Sequence, residues 1–315
     1  MSEAISARAA RDPLSATPAR RAAGRVLGPL LPYVLHLRPA EWPIMAGHTA
    51  LGWCLAAGLV WPDRIAALGL LAWVVALNGG TLALNSAFDR DDDDVAYLRQ
   101  PPPVPVGLAV VSFALMLLGL AITWQAPVGF RWAYAICALL SIAYSVPPLR
   151  LKAVAGADWV INILGFGVIS PYAGWALFGR PLTAPMGIVF LAFGALFAAF
   201  YPLTQLYQMD ADRERGDRTL AIRLGVGSSL SVAVLGVGVA FGMLAGAALA
   251  SGWGGREAWL RWGLLFLAGL GWIVVLGPWY LRGRGWSSTD HQRGMYHALG
   301  AWALTDVAVL LAWTA

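Results

Sequence analysis

Residues 85–94 read NSAFDRDDDD, five carboxylates in six positions directly after a long apolar run. A block of acid at the lip of a membrane helix is costly unless a positive charge sits against it, and the candidate partner is a metal ion. If the preceding helix continues through the stretch, Asn85, Asp89 and Asp93 recur at i, i+4 and i+8 on one face, with Asp92 beside them. A rise of about 1.5 Å per residue sets Asp89 and Asp93 roughly 6 Å apart along the axis, close enough to share a hard cation. Asp91 and Asp94 point elsewhere, toward water. The plainer alternative is a solvated acidic loop, which a membrane-edge position disfavours.

The apolar run before the acid is one of many. Of 315 residues, 59% are hydrophobic and 12% charged, about half the charge of a soluble protein, so the chain reads as an integral membrane protein. Runs long enough to cross about 30 Å of hydrocarbon fall at 43–60, 65–87, 108–123, 132–146, 159–178, 186–207, 230–250, 260–280 and 297–313. Their continuity and their Gly and Ala content suit closely packed helices, whereas a barrel shows short alternating segments. The expected fold is therefore all-α, with nine transmembrane helices. Nine crossings put the termini on opposite sides, and 17 of the 22 Lys and Arg residues then share the side of the N-terminus. That asymmetry marks the N-terminal side as cytoplasmic. The net charge of +5 is modest, and no nucleic-acid partner is expected.

Residues 1–35 read as a basic, partly disordered cytoplasmic arm against anionic lipid, and residues 36–315 as the membrane domain. Arg38, at the head of the first span, either faces a cytoplasmic cavity or anchors the helix at the headgroups. Arg99 and the prolines of 101–105 follow the acid, as a stiff extended connection. After the fourth span comes YSVPPLRLK, from Tyr144 to Lys152, whose Arg150 and Lys152 offer cations on the same side as the acidic block. Lys152 is the only lysine in the chain. The sixth span ends in a second polar element, YPLTQLYQMDADRERGDRTLAIRLG, in which Gln208 and Asp212 repeat the i, i+4 spacing and Asp210 faces the far side of the turn. Asp306, within the ninth span, is either functional by location or a helix-to-helix hydrogen bond. Cys54 and Cys137 read as small core residues, and none of the four histidines has metal-ligand spacing.

Two acidic elements on one face of the membrane, with Arg and Lys between them, fit the binding of a polyanion through bridging magnesium. The surrounding helices supply an apolar chamber. A diphosphate joined to a long hydrocarbon, a polyprenyl diphosphate, satisfies both.

At this point the chain resembles the UbiA-type intramembrane prenyltransferases. The pattern NxxxDxxxD is met by Asn85, Asp89 and Asp93; YSxxPxRLK by Tyr144, Ser145, Pro148, Arg150 and Lys152; DxxxGxxTLAxRLG by Asp212, Gly216, Thr219 and Arg223. The resemblance implies a ring of nine helices around a central cavity, capped on the cytoplasmic side. It also implies Mg2+ held by Asp89, Asp93 and Asp212, with Asn85 as a neutral ligand or orienting group. Arg99, Arg150 and Lys152 become diphosphate clamps, joined by Arg38 and Tyr144. One departure stands out: the family usually has aspartate where this chain has Gln208, whose carbonyl can ligate Mg2+ but brings no charge.

The resemblance implies transfer of an isoprenyl group to a lipophilic acceptor, most often an aromatic ring such as a quinone precursor, by an enzyme of the bacterial inner membrane whose site faces the cytoplasm. Prenylation of a tetrapyrrole or carotenoid, and cyclisation of the donor with no acceptor, are the alternatives within the family. A transporter or lipid-binding protein using the acid as a cation site is the alternative outside it, although transport sites belong near mid-membrane on broken helices.

Overall fold

In hydrocarbon every peptide group has to be satisfied within its own segment, and the chain answers with helices. The computed structural model describes residues 17–89, 95, 97–154, 156–216, 219–256 and 258–314. Among these there is no β-strand, only an isolated bridge between Val95 and Leu98. The helices are α1 (Pro18–Leu27), α2 (Leu31–His36) and α3 (Trp42–Ala57). They continue with α4 (Arg64–Asp89), α5 (Leu108–Gln125), α6 (Val128–Ser145), α7 (Ala157–Leu177) and α8 (Ala184–Leu206). The last four are α9 (Met209–Arg215), α10 (Leu220–Ala250), α11 (Ala258–Gly285) and α12 (Ser288–Thr314).

Local chemistry sets several of these boundaries. Thr17 caps α1, its hydroxyl accepting the Arg20 N–H at 3.1 Å, and Asp63 caps α4 by accepting the Ala66 N–H at 2.8 Å. Gly58, at φ 83°, ends α3 in a conformation that a side chain resists. Within α10 the helix breaks at Gly225, φ 73° and ψ 168°.

Among the described residues eight helices, α4 to α8 and α10 to α12, are long and apolar enough to cross a bilayer. By this measure the count falls one short of the expected nine. The first expected span, 43–60, forms the 16-residue α3, about 24 Å long, because Gly58 stops it. It nonetheless takes its place in the bundle. Each of these nine helices packs on the next in chain order, and α12 returns to α3, so the contacts close on themselves.

Hydrophobic burial gives little drive to helix association in lipid, and close backbone approach takes over. The α3–α7 crossing shows it most sharply. A Cβ on Gly52 would lie 1.7 Å from the Pro171 carbonyl oxygen, and one on Gly174 would lie 1.8 Å from that of Thr49. Two cores flank this crossing. One gathers Phe190, Phe193, Leu203, Trp272, Trp279 and Trp302, from α8, α11 and α12; the other gathers Trp53, Trp73, Phe130 and Tyr134, from α3, α4 and α6.

Asp306 resolves as the helix-to-helix bond: its Oδ1 lies 3.2 Å from His48 Nδ1, tying α12 to α3. The His48 ring stands edge-on to Phe193 and Trp302. Residues 1–16 of the expected arm lie outside the described residues. From Thr17 onward the arm is helical and docked on the proline-rich loop. Arg20 donates to the carbonyls of Arg99 and Gln100, the Tyr33 hydroxyl donates to Val106 O at 2.7 Å, and His36 Nε2 lies 3.1 Å from Pro102 O.

Candidate functional site

The last turn of α4 carries Asn85 and Asp89 on one face, as their spacing requires. The turn after α6 delivers their partners. Arg150 takes a left-handed backbone, φ 34°, and its N–H bonds back to Val146 O at 3.0 Å, which folds Arg150 and Lys152 over the end of α4. Lys152 Nζ donates to Asn85 Oδ1 at 2.7 Å and to Asp89 Oδ1. Arg150 Nη2 donates to the same Asp89 oxygen at 3.1 Å. Four of the residues read from the sequence are thus in direct contact.

Beneath them lies a cavity of about 270 Å3. Arg38, Asn85 and Tyr144 line it, so three of the expected residues share one chamber. Arg38 is the cavity residue and not a headgroup anchor: it is 5% exposed and its Nη2 donates to Ser86 Oγ at 3.3 Å. Its backbone, at φ 51°, is also left-handed, a strain that recurs at functional sites. The apolar wall includes Met45, Trp73, Leu77 and Phe166. Two wide π-helical turns supply part of that wall, Ala72–Gly79 within α4 and Ile163–Ile169 within α7. Such turns inside α-helices are frequent at functional sites because they push side chains out of the regular register.

Residues from the turn before α3, from α3, α4, α6 and α7, and from the loop at Tyr97 line this chamber; none comes from α8 to α12. Asp212, 4% exposed on α9, and Gln208, whose Nε2 donates to the Tyr207 hydroxyl at 3.0 Å, lie outside its lining. Asp210 faces away as its position in the turn requires, exposed and paired with Arg213 at 2.8 Å. Arg99 is exposed on its loop, also outside the lining. Asp93, with Asp91, Asp92 and Asp94, lies outside the described residues.

Among the described residues no three His, Cys, Asp or Glu side chains gather closely enough to hold a metal ion. The donor set nonetheless suits a hard cation. The Asn85 and Asp89 oxygens already converge on one positive charge, the Lys152 ammonium, and both are the oxygen ligands Mg2+ takes.

Several polar residues of the site escaped the sequence reading. Asp158, 2% exposed, accepts the Tyr201 hydroxyl at 3.1 Å and the Gly156 N–H at 2.9 Å. Tyr201 in turn hydrogen-bonds to Tyr144, which also reaches Asn162. Asn78 and Glu41 line the chamber itself. Burial pushes the Glu41 carboxyl up to about 7, against the opposing pull of the Arg38 charge. Tyr97, facing Glu41, is pushed up by burial and by that neighbouring carboxylate, whereas burial lowers His36. The only advance signal was HLRPAEW itself, where Glu41 follows Arg38 by three residues.

Known proteins share this fold. The chain is 32% identical over 202 residues to digeranylgeranylglyceryl phosphate synthase of Natronomonas pharaonis, covering 62% of this chain and 70% of that one. It is 28% identical over 236 residues to the chloroplast chlorophyll synthase of Arabidopsis thaliana, covering 68% of this chain and 59% of the relative. A UbiA homologue from Archaeoglobus fulgidus, solved with DMAPP and Mg2+, superposes with a TM-score of 0.66 at 20% identity, over 87% of this chain and 99% of that one. Residues 42–300 match the model of the UbiA prenyltransferase family, so the helices that build the chamber and the turn that carries Lys152 fall within it, and the chain belongs to that family.

Proposed function

We propose that the protein transfers an isoprenyl group from an allylic polyprenyl diphosphate to a lipophilic acceptor, an aromatic quinone-precursor-like ring being the leading class. The carrying observation is the convergence of Asn85, Asp89, Arg150 and Lys152 above an apolar-walled chamber. In this reading α3 is the ninth crossing, the N-terminus and the short helices α1, α2 and α9 form a cytoplasmic cap, and the membrane is the bacterial inner membrane. Surrounding lipid delivers donor and acceptor alike.

Asp89, Asp93 and Asp212 would hold Mg2+, with Asn85 as a neutral ligand and Gln208 beside Asp212. When bound, the ion supplies charge neutralisation to the departing diphosphate. Lys152 and Arg150 exchange the Asp89 carboxylate for phosphate oxygens, Arg38 binds from within the chamber, and Arg99 closes over from its loop. The C1–O bond of the donor breaks with its electron pair leaving on the diphosphate. Trp73, Phe166 and Tyr144 present aromatic faces to the allylic cation and keep water from it, so that C1 is captured by the acceptor, whose displaced proton passes to the released diphosphate.

The test is turnover of labelled geranylgeranyl diphosphate by the purified protein in lipid with Mg2+. A prenylated acceptor extracted from the membrane supports transfer. A hydrocarbon formed without acceptor points to cyclisation, and ion-coupled uptake with no turnover points to transport.

A further inference from the structure

A second cavity, of about 740 Å3, lies between α10 and α11, apart from the central chamber. It is the larger of the two, and no charged side chain lines it. Trp272 forms part of its wall but gives its indole N–H to Thr305 at 3.0 Å, while Phe266, Ile273 and Leu281 are exposed along it. The space is an apolar groove open to lipid. Glycine in a membrane helix ordinarily marks the close approach of a neighbouring backbone. Here Gly238 and Gly277 line the groove, and a Cβ on either would meet nothing within 4 Å.

The groove has a basic head. Gly227, Val234, Gly238, Phe241 and Ala245 share one face of α10, and Gly277, Leu281 and Arg284 share one face of α11. Arg284 lies across the two helices: a Cβ on Gly227 would come within 2.9 Å of its Nε and of its Nη2. It is exposed, and among the described residues no carboxylate pairs with it. An arginine that only anchored its own helix would run out to the headgroups beside that helix. This one stands over α10 instead, one turn beyond Leu281, where the groove begins.

We propose that the groove between α10 and α11 binds a net-anionic diacyl phospholipid, its phosphate on Arg284 and its chains along the two helices. A guanidinium fork matches phosphate oxygens, and basic pockets between membrane helices select anionic headgroups. A methylene takes up about the room of a water, roughly 30 Å3, so the cavity holds about 25 of them, more than one acyl chain and fewer than two. The part walled by both helices, Val234 to Ala245 on α10, is about 16 Å long, close to the depth of one leaflet. A zwitterionic lipid offers the same chains but brings a positive charge with its phosphate, and is the weaker ligand. The site does not depend on the prenyl-transfer reading.

The test titrates the full-length protein in detergent with 1-palmitoyl-2-oleoyl phosphatidylglycerol or with the phosphatidylcholine of the same chains, and counts bound lipid by native mass spectrometry. Expected is one phosphatidylglycerol held about five- to tenfold tighter than phosphatidylcholine. Arg284→Gln removes most of that preference, whereas Arg282→Gln, on an adjacent face of α11, changes it by less than about twofold. Gly238→Leu, which fills the groove, weakens both lipids by at least about fivefold. A phosphatidylglycerol with a diazirine on its acyl chain labels residues 234–245 and 262–281 in the wild type and loses that label in Gly238→Leu. Equal affinity for the two lipids, a preference that survives Arg284→Gln, or label spread evenly onto α5 overturns the site. So does displacement of the photolabel by geranylgeranyl diphosphate at lower concentration than by phosphatidylglycerol, which makes the groove an isoprenoid site. A dimer that disperses on addition of lipid overturns it too, since the groove then seats a second copy of the chain.

Discussion

The ammonium of Lys152 rests on the carboxylate of Asp89 and reaches Asn85 Oδ1 at 2.7 Å. An internal cation therefore occupies the oxygens at which a divalent ion is expected. Both residues are largely shielded, with side-chain exposures of 11% and 15%, while Arg150, on the same oxygen, is 47% exposed. The shielded pair holds the site together and the exposed guanidinium is the freer to turn to a ligand.

Substituting Lys152 should act in opposite directions on metal and donor. Lys152→Gln removes the competing cation, so Mg2+ is expected to bind about two- to tenfold tighter. The same change removes a charge-assisted contact to phosphate, and kcat/KM for the diphosphate should fall roughly ten- to a hundredfold. Calorimetric titration with Mg2+ and steady-state kinetics give the two numbers; a parallel loss in both contradicts the exchange of partners proposed here.

The acidic elements should differ from their neighbours in metal dependence. Asp89→Asn and Asp212→Asn are each expected to lower Mg2+-dependent turnover by about a hundredfold or more while the protein still inserts. Gln208→Asp restores a charge to the second element and should lower the Mg2+ concentration for half-maximal activity. Turnover against Mg2+ concentration reads all three.

Glu41 sets a pH dependence of stability with a definite sign. Its carboxyl, ordinarily near 4.5, is pushed up to about 7 in the fold. Below pH 4.5 the group is neutral folded or unfolded and contributes nothing. Between pH 4.5 and 7 the unfolded chain releases a proton the folded one keeps, so stability falls, and above pH 7 the penalty levels at about 3 kcal/mol. Glu41→Gln should therefore melt with the wild type at pH 4 and be more stable by roughly 2–3 kcal/mol at pH 8. Thermal unfolding in detergent at the two pH values checks the sign.

The α3–α7 crossing should tolerate nothing larger than glycine. The atoms a Cβ would meet at Gly52 and Gly174 are backbone carbonyls, at 1.7 and 1.8 Å, and backbone in a packed helix cannot step aside. Gly52→Ala or Gly174→Ala should cost at least 1–3 kcal/mol, about what overpacking costs in a core. Asp306→Asn, at the neighbouring α12–α3 seam, weakens one hydrogen bond and should cost about 1 kcal/mol. Unfolding midpoints of the three variants give the comparison.

Sequence alone determined what the bilayer and the helix repeat impose. Apolar runs of crossing length revealed the helices in order, because a lipid solvent permits little else. The spacing of Asn85 and Asp89 announced a shared face, because 3.6 residues per turn leaves no choice. Charge complementarity on one side of the membrane brought Arg150 and Lys152 under suspicion, though not their convergence on a single Asp89 oxygen, which depends on the left-handed turn at Arg150. Tertiary structure decided the rest: that α3 stops short at Gly58, that α12 closes on α3 through His48 and Asp306, and that Arg38 and Glu41 turn into the chamber. A lone polar residue at a helix end reads the same in sequence whether it meets headgroups or a cavity. Only the packing of α3 against α4 and α7 removes the water that separates those two fates.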